Sequence, residues 1–167
     1  MSTEKYKSIA SKLKFEGRAY INGKYVDALD GEKFETINPA NGDILCSVAK
    51  CNQKDVDLAV QSSRKAFDSG VWSRTSPEHR KEVLLKFAKL LSKEGEENSV
   101  LESVDTGKLI VDCINEVAND APMHFQWYGE LIDKVFGKVG PTDPSITSLV
   151  VKEPIGVVAG IVPWNFP

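Results

Sequence analysis

An uninterrupted apolar run near the end of the sequence constrains the fold of this chain more than any other feature. Each residue from Ile155 to Val162 is apolar, and most are β-branched. A strand that is apolar on both faces belongs inside a parallel sheet whose two faces are covered. The sequence therefore predicts an α/β protein in which residues 155–162 form one buried parallel strand. The sequence offers this strand no parallel neighbour, so both of its faces are expected to be exposed in this chain.

The first fifty residues are expected to form a small antiparallel β unit behind a short amphipathic helix at residues 6–15. Asn22-Gly23 lies between β-forming residues, and both of these residues tolerate the positive φ that a two-residue hairpin requires. Further strands are predicted over residues 33–37 and 44–49, on either side of a turn cluster at residues 38–42.

Helix signals dominate the middle of the chain. Asn52 can cap a helix with Asp55 three residues later, and Ser76 followed by Pro77 marks the start of the next helix. Gly107 can close a third helix.

A long helix is then predicted from Ile110 to Ile132. Pro122 lies inside it and is expected to kink or break it, because proline lacks the N–H that the helix uses. The alternation from Ser148 to Lys152 is typical of a half-exposed strand.

The charge balance excludes several classes of partner. The chain has 21 Lys and Arg against 24 Asp and Glu, a net charge of −3, which offers no basic field for nucleic acid or anionic lipid.

The longest apolar run is too short to cross a bilayer. The N-terminus lacks the apolar segment of a secretory signal, and Glu4 argues against a mitochondrial presequence. Three cysteines without a Cys-x-x-Cys spacing suggest free thiols, so we expect a soluble cytoplasmic protein.

Most residue types that carry chemistry are poorly placed for it. His79 and His124 are too far apart in sequence to suggest a metal pair. Cys46, Cys51 and Cys113 lack an activating sequence context, so small buried or edge residues are expected rather than a nucleophile.

The segment that follows the apolar run is the exception. Open parallel sheets bind ligands at the carboxyl ends of their strands, which is where Asn165 would lie. Pro163 and Pro167 restrict the backbone on either side of it. A rigidly held amide NH2 is a useful donor to a developing oxyanion. The alternative is a stiff strand-to-helix connection in which Trp164 is packed.

Several segments, in matching order and spacing, carry a resemblance to a known family. They are Ile21–Lys24, Ile37–Gly42, Asp105–Lys108, Trp127–Gly137 and Glu153–Pro167. Together they resemble the aldehyde dehydrogenase family over nearly the whole chain. The residues at these positions are most similar to its γ-glutamyl-aminobutyraldehyde and betaine-aldehyde branches. Leu109 departs from the proline that is usual in the family after Gly-Lys.

The resemblance implies a partial Rossmann-like NAD(P)-binding domain. Residues 1–135 would be its N-terminal part, residues 136–154 the start of an oligomerisation hairpin, and residues 155–167 the first parallel strand with the Pro-Trp-Asn segment. The implied activity is oxidation of an aldehyde to a carboxylic acid with NAD or NADP, through a cysteine thiohemiacetal, in a homodimer or homotetramer. The family's cysteine nucleophile, glutamate base and glycine-rich turn lie further downstream, so this chain alone is expected to be inactive.

The resemblance also implies roles for individual residues. Asn165 would be the side-chain donor of the oxyanion hole. The residues before it would line the adenine and ribose side of the cofactor: Ile161, Val162, Pro163 and Trp164.

Two acidic positions have open interpretations. Asp105, with the backbone carbonyl of Ile37, would match a monovalent-cation site, and the alternative for Asp105 is a turn cap. Glu116 and Asp120 share a face of a helix that lines the family's substrate tunnel. Acids there would favour a cationic aldehyde such as an aminoaldehyde, and the alternative is a solvated acidic face.

Two rival functions remain open at this point. A non-catalytic short form could dock on full-length subunits. A free-standing nucleotide-binding domain is the other rival, and we expect no NAD binding because the other half of the pocket is absent.

Overall fold

The computed structural model describes residues 3–163 and Asn165. Its α-helices have the following bounds: α1 Thr3–Ala10, α2 Gln53–Ser69, α3 Pro77–Lys93, α4 Gly95–Thr106, α5 Ile110–Cys113 and α6 Ala121–Leu131. Its strands are β1 Ala19–Ile21, β2 Lys24–Val26, β3 Lys33–Ile37, β4 Ile44–Ala49, β5 Lys138–Gly140 and β6 Ser148–Val150. Each described strand pairs antiparallel with its neighbour in sequence, which gives the pairs β1–β2, β3–β4 and β5–β6. The chain is thus a mixed α/β protein.

The predicted hairpin is confirmed. Asn22 and Gly23 adopt φ values of 52° and 75°, and they join β1 to β2 with Ala19 opposite Val26. The strands predicted over residues 33–37 and 44–49 pair with each other, so the antiparallel unit consists of two separate pairs. The helix predicted at residues 6–15 begins and ends earlier, at Thr3 and Ala10.

The predicted helix ends are also confirmed. The Asn52 side chain accepts the N–H of Lys54 at 2.8 Å, and Asp55 accepts the N–H of Asn52 at 2.9 Å, which completes a capping box for α2. Ser76 caps α3. Gly107, at φ 76°, ends α4 in the left-handed conformation.

The long predicted helix changes its hydrogen bonding instead of breaking. Between α5 and α6 the residues Ile114–Asp120 form a π-helical segment, and the N–H of Ala121 donates to the carbonyl of Glu116, five residues earlier. Pro122 lies at the start of α6 and has no N–H to continue the α-helical pattern. The seven-residue π-helical segment absorbs this loss while the backbone stays helical.

The helices pack around small residues. A Cβ at Gly129 would lie 3.1 Å from the Cβ of Leu84, so α6 and α3 approach closely. Phe87 and Phe125 meet edge to face across the same contact, with ring centroids 4.7 Å apart. None of the described helices is long and apolar enough to span a membrane.

The strand predicted at residues 155–162 is wrong for this structure. No strand is assigned there, and Ile155 and Ile161 are 90 % and 97 % exposed. A strand requires a neighbouring strand for its hydrogen bonds, and none of the described strands pairs with this segment. Gly156, at φ 119°, is also outside the extended conformation. The side chains of Ile155 and Ile161 are exposed, as expected, but the segment forms no strand hydrogen bonds with a neighbour among the described strands.

Residues 136–154 contain the β5–β6 pair. The strand predicted from Ser148 to Lys152 is observed at Ser148–Val150. An oligomerisation role for this pair stays a prediction.

Candidate functional site

A lysine ties the end of the chain to the turn that follows α4. The Nζ of Lys108 donates to the backbone carbonyl of Asn165 at 2.9 Å, across 57 residues of sequence. Asn165 itself is exposed. Asn165 and the Asp105–Lys108 turn, noted separately in the sequence, therefore meet at one place.

Lys108 is well anchored. Its ammonium forms an ion pair with the carboxylate of Glu116, and its side chain is only 17 % exposed. Its backbone carbonyl accepts the hydroxyl of Ser103 at 2.7 Å, and Gly107 supplies the left-handed turn just before it. Glu116 belongs to the π-helical segment Ile114–Asp120.

Several charged groups surround this contact and influence one another. Partial burial raises the pKa of Glu102, against the opposing effect of Lys108. The hydrogen bond to Glu116 raises the pKa of Lys108, so this ammonium stays protonated. Burial also raises the pKa of the Cys113 thiol, and a neutral thiol is a poor nucleophile.

Cys51, which is exposed where Cys113 is buried, also has a thiol that stays neutral. Burial against its surroundings is the largest cause that raises the pKa of the Cys51 thiol, and the carboxylates of Asp55 and Asp30 add to it. Both shifts support the expectation that these cysteines are not nucleophiles.

Glu116 and Asp120 line one open groove of about 560 Å³, together with Glu102, His124 and Phe125. Glu116 is engaged by Lys108, whereas Asp120 is exposed. The two acids therefore differ in what they can offer a ligand. Their role in a substrate tunnel stays a prediction.

Asp105 lies beside β3. The hydroxyl of Thr36 donates to its Oδ1 at 3.2 Å, which brings Asp105 next to the residue that precedes Ile37. Within residues 3–163 and Asn165, no group of three or more His, Cys, Asp and Glu side chains could hold a metal ion. A monovalent cation between Asp105 and the carbonyl of Ile37 stays a prediction.

The residues expected to line the cofactor are exposed. Ile161, Val162 and Pro163 present apolar surface to solvent, and Trp164 lies outside the described residues. Such a surface fits the apolar packing of an adenine ring, but it offers no charged donor to a phosphate. Their place in a cofactor site stays a prediction.

Sequence reasoning missed the part that Lys108 plays. It noted Lys108 only as the last residue of a turn motif, because the two groups it joins lie 8 and 57 residues away. No local pattern links residues at those separations. The one feature of the sequence that pointed to this role is that Lys108 directly follows Gly107, which closes α4.

Comparisons with known proteins agree over the whole chain. The model of the aldehyde dehydrogenase family matches residues 25–167. An aminoacetaldehyde dehydrogenase of Pseudomonas aeruginosa is 41% identical over 167 residues, which are 100% of this chain and 34% of that protein. An NADP/NAD-dependent aldehyde dehydrogenase of Escherichia coli is 42% identical over 158 residues, 95% of this chain and 32% of that protein.

Solved structures give the same result. The γ-glutamyl-γ-aminobutyraldehyde dehydrogenase of Burkholderia cenocepacia matches with a TM-score of 0.96 and 42% identity, over 100% of this chain and 34% of that chain. A Pseudomonas syringae indole-3-acetaldehyde dehydrogenase mutant in complex with NAD+ and IAA matches with a TM-score of 0.96 and 44% identity, over the same shares. The chain spans about a third of the length of the relatives it matches.

Proposed function

The chain belongs to the aldehyde dehydrogenase family, and on that premise we propose that it supplies the N-terminal third of an enzyme that oxidises an aldehyde to a carboxylic acid with NAD or NADP. The observation that carries the proposal is the match along the full chain to aldehyde dehydrogenases, at 41% identity in one relative. The resemblance noted in the sequence motifs is thereby confirmed at the level of the family.

Asn165 is proposed as the oxyanion donor of that enzyme. Attack of a thiolate on the aldehyde places negative charge on the former carbonyl oxygen, and an amide NH2 held in place stabilises this charge. The thiolate is proposed to come from outside these residues, since burial raises the pKa of the Cys51 and Cys113 thiols.

Ile161, Val162, Pro163 and Trp164 are proposed as one wall of the cofactor site. When bound, a nicotinamide cofactor supplies the acceptor for the hydride that leaves the substrate carbon. The exposed apolar surface of Ile161 and Val162 supports this assignment, because it gives an adenine or ribose a place to pack.

An aminoaldehyde is the proposed class of substrate. Asp120 presents an exposed carboxylate at the groove it shares with Glu116, and a carboxylate there favours a cationic group. Relatives named for aminoacetaldehyde and γ-glutamyl-γ-aminobutyraldehyde support the same class.

Further protein is proposed to cover much of this chain. Its accessible surface is 12575 Å², whereas a folded monomer of 18.4 kDa exposes roughly 8,200 Å². Large apolar side chains of the β5–β6 pair contribute to the excess, among them Val139 and Leu149. Their exposure supports a homodimer or homotetramer, which we place in the cytoplasm. A short form that docks on full-length subunits would use the same surface.

The test is steady-state oxidation of aldehydes by the complete product of the gene that contains this sequence. We expect formation of reduced nicotinamide with an aminoaldehyde, more efficiently than with an uncharged aldehyde of equal length. The 167 residues alone are expected to show no turnover and no heat of NAD binding in calorimetry. A complete product that oxidises no aldehyde with either cofactor would overturn the proposal.

A separate mixing experiment tests the short form. The 167-residue chain is incubated with the complete product and the mixture is separated by size. Stable hetero-oligomers would support the docking role, and complete separation of the two proteins would remove it.

A further inference from the structure

We propose that Lys108 and Glu116 are positioning residues for Asn165, which they hold through its backbone carbonyl so that its side-chain amide faces the reacting oxygen. This inference rests on the proposed function, because it concerns the donor that the proposed reaction uses. Neither residue needs to touch substrate or cofactor for this role.

The ammonium of Lys108 donates to two separate parts of the fold. A lysine ammonium has three N–H donors. One reaches the carbonyl of Asn165 at 2.9 Å, and another is directed at the carboxylate of Glu116. The side chain thus bridges Glu116 of the π-helical segment and the backbone of Asn165.

Both the side chain and the backbone of Lys108 are held in place. The Lys108 side chain is 17 % exposed and that of Glu116 30 %, so the ion pair is partly shielded from water. Shielding strengthens the attraction and makes loss of one partner costly. The Lys108 backbone is held as well, since its carbonyl accepts the Ser103 hydroxyl.

Little else in the described residues restrains Asn165. Residues 155–163 belong to no strand, and Asn165 is exposed. Pro163 restricts its own φ, but proline leaves the following torsions free to rotate. Fixing the carbonyl of Asn165 restricts the backbone rotation at this residue and therefore the direction of its Cα–Cβ bond.

Positioning of this kind affects the rate more than binding. An oxyanion donor contributes only when it lies close to the charge that develops in the transition state. A displaced amide lowers kcat while ground-state binding of the cofactor is retained. Lys108 is therefore expected to influence kcat through Asn165 and to leave KM for the cofactor unchanged.

The experiment is a double-mutant cycle in the complete gene product, with the variants K108M, N165A and K108M/N165A. We expect K108M to lower kcat about 10- to 100-fold, and by no more than N165A, the scale of a lost oxyanion donor. Because Lys108 acts through Asn165, the double variant is expected to match N165A, a non-additivity that general destabilisation does not produce.

Three further variants sharpen the test. Lys108→Arg keeps the positive charge and is expected to recover part of the lost rate. Glu116→Gln removes the partner charge and keeps nearly the same shape, and it replaces K108M if that variant does not fold. We expect a smaller fall in kcat for Glu116→Gln. In the N165A background this fall is expected to be absent. The matched control is Lys93→Met, which removes a highly exposed ammonium at the end of α3 and is expected to leave kcat unchanged.

The outcomes separate the two proposals. Wild-type protein that oxidises no aldehyde overturns the proposed function and this inference with it. Active wild-type protein with an unchanged K108M variant, or with K108M and N165A effects that multiply, overturns the positioning role alone.

Discussion

The carboxylate of Asp55 accepts a hydrogen bond of 2.9 Å from the backbone N–H of Leu29. Its second oxygen accepts the N–H of Asn52, so one buried side chain joins the loop after β2 to the start of α2. Sequence alone identified the local half of this arrangement, the capping box. The bond to Leu29 spans 26 residues and comes only from the fold.

Replacement of Asp55 by alanine is expected to open this junction. Two backbone donors lose a charged acceptor, and each such bond contributes about 1.5–3 kcal/mol. We expect local destabilisation of about 3–6 kcal/mol, measured by hydrogen exchange of the peptides that contain Leu29 and Asn52. Asp57→Ala is the control, because Asp57 bonds only to the exposed side chain of Gln53 among the contacts described. Equal loss of protection in both variants would contradict the prediction.

Replacement of Gly107 by alanine is expected to destabilise the turn that carries Lys108. Gly107 has φ 76°, and a Cβ there would lie 2.7 Å from the Cγ of Pro39. The positive φ costs about 1–2 kcal/mol, and the crowding adds about 1–3 kcal/mol. The matched control is Gly31→Ala, which has φ 75° and nothing within 4 Å of the added Cβ. Denaturation midpoints should show the larger loss for Gly107→Ala, and equal losses would rule out the crowding.

Replacement of Glu102 by glutamine is expected to stabilise the protein above the ordinary carboxyl pKa of 4.5. Burial raises the pKa of Glu102 in the folded state, so the folded protein binds this proton more tightly than the unfolded chain. That contribution is fully present below pH 4.5 and is lost as the pH rises through the raised pKa. The gain from Glu102→Gln should therefore vanish in acid and reach its full size at neutral pH.

Thermal midpoints across a pH series give the measurement for Glu102. The control is Glu97→Gln, which removes an exposed charge from the same helix. A gain of the same size and pH dependence in the control would show that net charge, and not burial, is responsible.

Replacement of Asn165 by alanine in the complete enzyme is expected to lower kcat by about 100-fold or more, on the scale of a lost oxyanion donor. The amide donates to charge that exists only in the transition state, so cofactor affinity should be retained. Steady-state kinetics at saturating cofactor give the measurement. An unchanged kcat would remove Asn165 from the reaction.

The isolated chain is expected to unfold without a sharp cooperative transition. Burial of apolar surface is the main stabilising contribution to folding, and residues such as Ile155 and Ile161 are almost fully exposed. Calorimetry and sedimentation of the 167 residues test this. A cooperative melt of a monomer would contradict it.

Much of the local structure was predictable from short stretches of sequence. The hairpin at Asn22-Gly23, the caps at Asn52 and Ser76 and the helix end at Gly107 all agree with the structure. The absence of a strand at residues 155–162 could not be predicted, because an apolar run indicates a buried strand only where a neighbouring strand is available. Pro122 correctly marked a disturbance, but its form as a π-helical turn could not be foreseen.

Sequence by itself determined the turns, the helix ends and the family, because each depends on partners a few residues away or on motifs in fixed order. Tertiary structure alone decided that Lys108 joins Glu116 to Asn165 and that Asp55 reaches Leu29. Contacts of this kind depend on where the chain places distant residues, and that placement follows from packing of whole helices. Helix caps and turns depend on neighbouring residues, whereas the geometry of a site depends on the whole fold.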